Sequence, residues 1–213
     1  MRTIVYVDAF NLYYGIKDMS RGTPNFPYRW LDLAKMCSLL LPKNDILGIK
    51  YFTAKVSARP RDPDQPVRQQ TYLRALATLP TVSIIYGHFL THTVSMALAQ
   101  PAKDGSLFAK VIKTEEKGSD VNLATHLLVD AFRDECDMSV DITNDSDLQE
   151  PLRVVSQEFG KTVGILNPQR HPSFELKQYA TFYKPIRKGV LAGSQFPVML
   201  EDEQGQFYKP PSW

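Results

Sequence analysis

The chain has 213 residues, 43% of them apolar and 23% charged, with a net charge of +2. That length holds one α/β domain with a full core, or one domain with a small appendage, and the balance excludes a disordered or fibrous chain. The charge is too small by itself to indicate a nucleic-acid partner, and no apolar run approaches the ~20 residues of a membrane span.

The N-terminus leads straight into a strand-like run, without the layout of a signal peptide. Cys37 and Cys136 lie far apart in the chain and have no CxxC spacing. They read as buried free thiols in a reducing, cytoplasmic setting.

Residues 3–7 form the first expected strand, closed by Asp8. Residues 10–16 can open a helix, which Gly15 weakens, and residues 20–28, with Gly22, Pro24 and Pro27, read as a loop. An amphipathic helix is expected over residues 31–41, stopping before Pro42. A strand over 45–56 leads into a polar, proline-rich loop over 57–66 that carries Arg59 and Arg61. Then come a helix over 67–79, a strand over 81–90 and a stretch without clear pattern over 91–106. Alternation over 107–114 suggests an extra edge strand. A strong helix over 119–133 is followed by a strand over 138–143, a helix over 147–159, a strand over 162–166 and a short helix over 173–182. The remainder is rich in proline and glycine, so the expected organisation is a domain over 1–183 and an extension over 184–213 that packs on it or trails from it.

Strands alternating with helices imply a parallel sheet covered on both faces, with right-handed crossovers. Sites in such sheets lie at the carboxyl ends of the strands. Asp8 follows one strand end, and Asp145 and Asp147 follow another in the turn Asn144-Asp145-Ser146-Asp147. Asp120 opens a helix running antiparallel to the strands, which brings it to the same edge. Each acid alone also serves as an ordinary turn or helix cap. Together they repel one another unless a cation sits between them, and Mg²⁺ or Mn²⁺ is the natural occupant of an all-oxygen site. Because such sites often carry phosphoryl chemistry, the cluster reads first as that of a metal-dependent nuclease. Asp141 sits within a strand, on the face of Ser139 and Thr143, where an unpaired carboxylate costs several kcal/mol or titrates to neutral.

Three segments carry a family resemblance: Tyr6-Val7-Asp8-Ala9-Phe10-Asn11-Leu12-Tyr13-Tyr14, Lys117-Gly118-Ser119-Asp120-Val121-Asn122-Leu123 and Thr143-Asn144-Asp145-Ser146-Asp147-Leu148. With the C-terminal Leu191-Ala192-Gly193-Ser194-Gln195-Phe196-Pro197, they resemble the NYN domain, a branch of the PIN-like ribonucleases, in its bacterial LabA-like form. The resemblance implies a PIN-like, Rossmann-like three-layer sandwich with a central parallel sheet in the order 3-2-1-4-5. It implies Mg²⁺ or Mn²⁺ at Asp8, Asp120, Asp145 and Asp147, with Asn11, Thr143 and Asn144 orienting these ligands. It further implies an endoribonuclease acting on RNA. A catalytically silent RNA-binding or regulatory module and a nuclease acting on DNA are the alternatives. Lys117, Arg59, Arg61, Arg68 and Tyr13 are the candidate contacts to such a substrate, although a solvated loop charge is the ordinary role of Lys117 and of the arginines. No membrane partner is expected, and a homodimer is left open. Ala9 departs from the glycine common at its position in the family.

Overall fold

The computed structural model describes residues 1–22, 27–60 and 62–213. The chain runs through β1 (Arg2–Asp8), α1 (Ala9–Met19), α2 (Leu33–Leu40), β2 (Asp45–Thr53), α3 (Gln65–Ala77) and β3 (Val82–Tyr86). It continues through β4 (His88–Ala97), β5 (Phe108–Lys117), α4 (Ser119–Phe132) and β6 (Met138–Ile142). A 3₁₀ turn (Ser146–Leu148), α5 (Gln149–Arg153) and a π-turn (Val154–Glu158) lead to β7 (Thr162–Asn167). The chain closes with α6 (Phe174–Lys177), β8 (Phe182–Pro185), α7 (Lys188–Gly193), β9 (Met199–Asp202) and β10 (Gly205–Tyr208).

Six strands form one sheet in the order β3-β2-β1-β6-β7-β8, and every neighbouring pair is parallel. Helices cover both faces of this central parallel sheet. Because β1 is fully enclosed, its apolar residues do not alternate with polar ones but divide between two cores. Val5 and Val7 join Trp30, Leu33, Met36, Tyr72 and Leu76 on one side. Ile4 and Tyr6 join Leu123 and Leu127 of α4, and Leu148, Leu152 and Val155, on the other. From β1 the chain builds outward through β2 and β3, then returns to lay β6 on the opposite flank of β1. That reversal between β1 and β6 is the switch point at which open α/β sheets form a crevice.

Several elements differ from the sequence expectation. The sheet has a sixth strand, β8, so its order extends the expected five by one. The helix expected over 173–182 shrinks to Phe174–Lys177, because Phe182 and Tyr183 pair with Gly164 and Ile165 at the sheet edge. Pro185 is tolerated there as the last residue of an edge strand. The expected strand over 81–90 is two strands, separated at Gly87. A Cβ there would lie 2.5 Å from the Lys117 carbonyl oxygen and 2.9 Å from the Ser119 nitrogen, so only glycine permits the close approach. The stretch over 107–114 belongs to β5, which pairs with β4 in an antiparallel hairpin outside the main sheet rather than at its edge. The helix expected over 147–159 is broken into 3₁₀, α and π turns.

Residues 184–213 pack on the α2–α3 side. The Trp30 indole donates to the Pro197 carbonyl at 2.7 Å, the Phe196 amide donates to the Trp30 carbonyl at 2.8 Å, and Arg74 makes a two-pronged pair with Asp202 at 2.6 and 2.7 Å. Both cysteines are buried free thiols, and burial pushes Cys37 up to about 12. Among the described residues, no helix is long and apolar enough to cross a membrane.

Candidate active site

Asp8, Asp120 and Asp145 come together at the carboxyl end of the sheet. One carboxylate oxygen from each lies within 4.8 Å of the others. Asp8 is placed by the end of β1, Asp120 by the first turn of α4 and Asp145 by the turn after β6. The capping roles are real as well. Asp8 accepts from the Asn11 amide at 2.9 Å, and Asp145 accepts from the Asp147 amide at 3.0 Å. Each of these two acids therefore has one oxygen committed to local structure and one left for the cavity or its neighbours.

The neighbouring residues fix these orientations. The Thr143 hydroxyl donates to Asp8 Oδ2 at 3.2 Å and accepts from the Asp145 amide at 3.1 Å, which ties the two strand ends together. Asn11 Oδ1 accepts from the Asn144 amide at 3.1 Å. Asn144 Oδ1 in turn accepts from the Ser173 amide at 2.8 Å and the Tyr183 hydroxyl at 2.9 Å. The sixth strand thus braces the acidic turn.

Burial pushes Asp8 up to about 7, with the charges of Asp120 and Asp145 adding to the effect and the Asn11 amide opposing it. Burial also raises Asp120, and Asp145, Glu116 and Asp147 raise it further. A divalent cation at this place would remove the repulsion.

The acids face a cavity of about 650 Å³. Its walls include Phe10 and Tyr13 of α1, Tyr51 of β2, Phe89 of β4 and Tyr72 of α3. Phe10 and Phe89 meet edge-to-face at 5.7 Å, so the hairpin closes one side. Arg59 and Arg68 line the same cavity, as does Asp62, which holds Arg68 at 2.5 and 2.6 Å.

Not every expected site residue joins this group. Asp147 is exposed and acts on Asp120 only through its charge, outside the tight group of three. Lys117 is half-exposed, 3.8 Å from Glu115, and does not line the cavity. Arg61 lies outside the described residues. Conversely, Glu116, Arg29, Gln169 and Trp213 line the cavity without having been singled out. Glu116 accepts from both the amide and hydroxyl of Ser119, at 3.1 and 2.6 Å. Arg29 and Trp213 arrive from remote segments that no local pattern connects.

No protein-family model matches the chain. The chain is similar over its whole length to 6-hydroxy-3-succinoylpyridine 3-monooxygenase HspA of Pseudomonas putida. The two are 29% identical over 242 residues, covering 100% of this chain and 75% of that protein. A protein of unknown function from Vibrio parahaemolyticus shares the fold, with a TM-score of 0.58 and 17% identity over 88% of this chain and 93% of its own.

The likeness to a monooxygenase overturns the nuclease reading, including its hydrolase, RNA-binding and DNA-cleaving forms, and points to an oxidoreductase. The physical reason for the error is plain. Three converging carboxylates would suit a hard cation, but a bound cation serves several reaction classes, and nothing in the carboxylates themselves selects phosphoryl transfer.

Proposed function

We propose that this protein is an oxidoreductase that inserts one oxygen atom into a small aromatic substrate held in the cavity. The observation carrying this reading is the full-length likeness to a protein named for monooxygenation of a hydroxypyridine. A cleft of about 650 Å³ with several aromatic residues in its walls supports it, since this is the size of a small-molecule site.

The balanced reaction takes a ring C–H bond, dioxygen, and two electrons with two protons. It yields a C–OH bond and water. A reduced nicotinamide is the class of donor proposed, giving up a hydride while the medium supplies the second proton.

Asp8, Asp120 and Asp145 would hold a divalent cation, Mn²⁺ or Mg²⁺, because the donor set is three carboxylate oxygens within 4.8 Å. Bound there, the cation supplies a Lewis-acidic centre beside the substrate. The chain's own residues position the rest. Thr143 and the Asn11 amide hold the two oxygens of Asp8. The Phe10–Phe89 pair shields one side of the cavity from water.

A flavin dinucleotide does not fit the first strand-to-helix turn. Its pyrophosphate rests on a glycine-rich turn at a helix N-terminus. Here that turn is Asp8-Ala9-Phe10-Asn11, without glycine and with a carboxylate facing the crevice.

We further propose that the scaffold is of NYN type, with the activity reassigned. The first five strands of the sheet, in the order 3-2-1-4-5, support this.

The test is oxygen uptake by the purified protein with Mn²⁺, reduced nicotinamide and a panel of hydroxypyridines and hydroxybenzoates. Substrate-dependent uptake matched by nicotinamide oxidation is expected. Substrate consumed without oxygen uptake would contradict the proposal.

A further inference from the structure

Several polar groups lining the cleft are already engaged by the protein itself. The Tyr72 hydroxyl donates to the Leu31 carbonyl at 2.9 Å. Gln69 donates to the Ala54 carbonyl and accepts from the Val56 amide, both at 2.9 Å. Gln169 donates to the Asn11 carbonyl at 3.0 Å, and the Thr114 hydroxyl pairs with that of Thr91 at 3.0 Å. Tyr51 and Thr53 differ. Both line the cleft and are more than nine-tenths buried, at 7% and 1% exposure. Neither hydroxyl has a hydrogen-bond partner among the described residues. Neither oxygen is sealed in the core as that of Ser139 is, so both open onto the cleft. A buried hydroxyl left without a partner costs free energy that a ligand can recover. The two residues lie two apart on β2 and so share one face of it. In register, Tyr51 sits beside Val7 and Phe52 beside Asp8, which places the pair one strand away from the acidic group. The Tyr51 ring is held edge-to-face against Tyr72 at 6.3 Å, so its direction is set before any ligand arrives.

We propose that Tyr51 and Thr53 form a recognition subsite for a ring hydroxyl of the aromatic substrate. The inference rests on the small-aromatic oxidoreductase reading above and adds the group by which the ring is held. Burial, reinforced by the charge of Asp8, raises Tyr51 above its ordinary value, so the phenol keeps its proton at neutral pH and donates. The Thr53 hydroxyl can donate or accept. A ring hydroxyl satisfies both: its oxygen accepts from Tyr51, and its own proton goes to Thr53 Oγ1. A methyl ether at the same ring position satisfies Tyr51 alone, and a bare C–H satisfies neither. Sites built to pair a hydroxyl reject the analogue lacking it, because their own polar groups are then left unpaired. Since β1 and β2 are adjacent strands, roughly 4.8 Å apart, the hydroxylated edge of the ring is held on the side of the cleft where Asp8 lies.

The test is calorimetric titration of the full chain at neutral pH, in Mn²⁺-containing buffer, with 4-hydroxyacetophenone, 4-methoxyacetophenone and acetophenone, for wild type, Tyr51→Phe and Thr53→Val. Wild type should bind the hydroxyl compound at least about tenfold more tightly than acetophenone, and more tightly than the methyl ether. Tyr51→Phe should bring the hydroxyl compound close to acetophenone while acetophenone itself binds as in wild type. Thr53→Val should erase the preference for the hydroxyl over the ether. Both substitutions keep the side chain's shape, and Thr53→Val remains informative if Tyr51→Phe does not fold. No measurable binding of 4-hydroxyacetophenone, equal binding of the three compounds to wild type, or a preference unchanged in the folded variants would overturn the subsite, the last showing two hydroxyls that are merely solvated. Hydroxyl-selective binding that the variants abolish, without oxygen uptake on any hydroxylated ring, would sustain the subsite and remove the oxidoreductase reading. Oxygen uptake with the three compounds bound alike would do the reverse.

Discussion

Asp141 offers the sharpest energetic prediction. It lies in β6 between Tyr6 of β1 and Ile165 of β7, in the middle of the sheet. It is fully buried, and neither carboxylate oxygen finds a hydrogen-bond partner among the described residues; Ser139, the adjacent hydroxyl on the same face, is likewise unpaired. Burial pushes Asp141 from the ordinary 3.8 up to about 8, partly opposed by the nearby Ser139. The native protein therefore keeps a proton that the unfolded chain releases at neutral pH. Stability must fall as pH rises from about 4 to about 8, by roughly 1.4 kcal/mol per pH unit from this one group, and then level off. At pH 7 the accumulated cost is about 4 kcal/mol. Asp141→Asn removes the titration while keeping the shape. The variant should match wild type near pH 4 and exceed it by about 3–4 kcal/mol at pH 7, less whatever the amide loses by its own unpaired groups. Urea unfolding of both proteins across that range measures the difference. Parallel pH profiles for the two proteins would refute the reasoning.

Other consequences are testable on the same material. Asp8 is raised to about 7, so the metal-free protein should lose stability as pH rises from about 4 to 7; the slope in thermal melts should be shallower in Asp8→Asn, and Mn²⁺ should cancel it in wild type alone. Asp145→Asn preserves the cap on the Asp147 amide but removes a charge from the cluster. Its metal-free form should melt no lower than wild type, while the Mn²⁺-induced rise in Tm falls; a rise that survives undiminished would exclude Asp145 from the cation site. Gly87→Ala forces a methyl against the Lys117 carbonyl oxygen at 2.5 Å, which should cost about 1–3 kcal/mol in chemical denaturation. Because Phe89 lies two residues on, at the start of β4 and in the cavity wall, that variant should also weaken aromatic ligand binding.

Much of the scaffold is legible in the sequence because it rests on local signals. The apolar run ending at Asp8, the strong helical period after Ser119 and the Asn144–Asp147 turn each announce an element and its end. Parallel topology then forces Asp8, Asp120 and Asp145 to one edge, so their convergence follows without any view of side chains. What escapes is set by contacts between distant segments. Gly87 breaks a continuous apolar run only because another backbone passes within van der Waals distance. Phe182 and Tyr183 become a strand only because Gly164 leaves space beside them at the sheet edge. Arg29 and Trp213 reach the cavity through tertiary packing, as Trp213 meets Trp30 and Tyr72 edge-to-face. The reaction class escapes for a different reason. Carboxylates declare what cation they suit, whereas the chemistry depends on what else the cavity holds.

The central claim is best tested by following the oxygen atom. Wild-type protein with Mn²⁺, reduced nicotinamide and an aromatic acid substrate would be supplied with heavy-isotope dioxygen in ordinary water, and the product analysed by mass spectrometry. The account predicts one heavy oxygen atom per product molecule, and loss of that product in Asp8→Asn. A product whose new oxygen comes from water would contradict it.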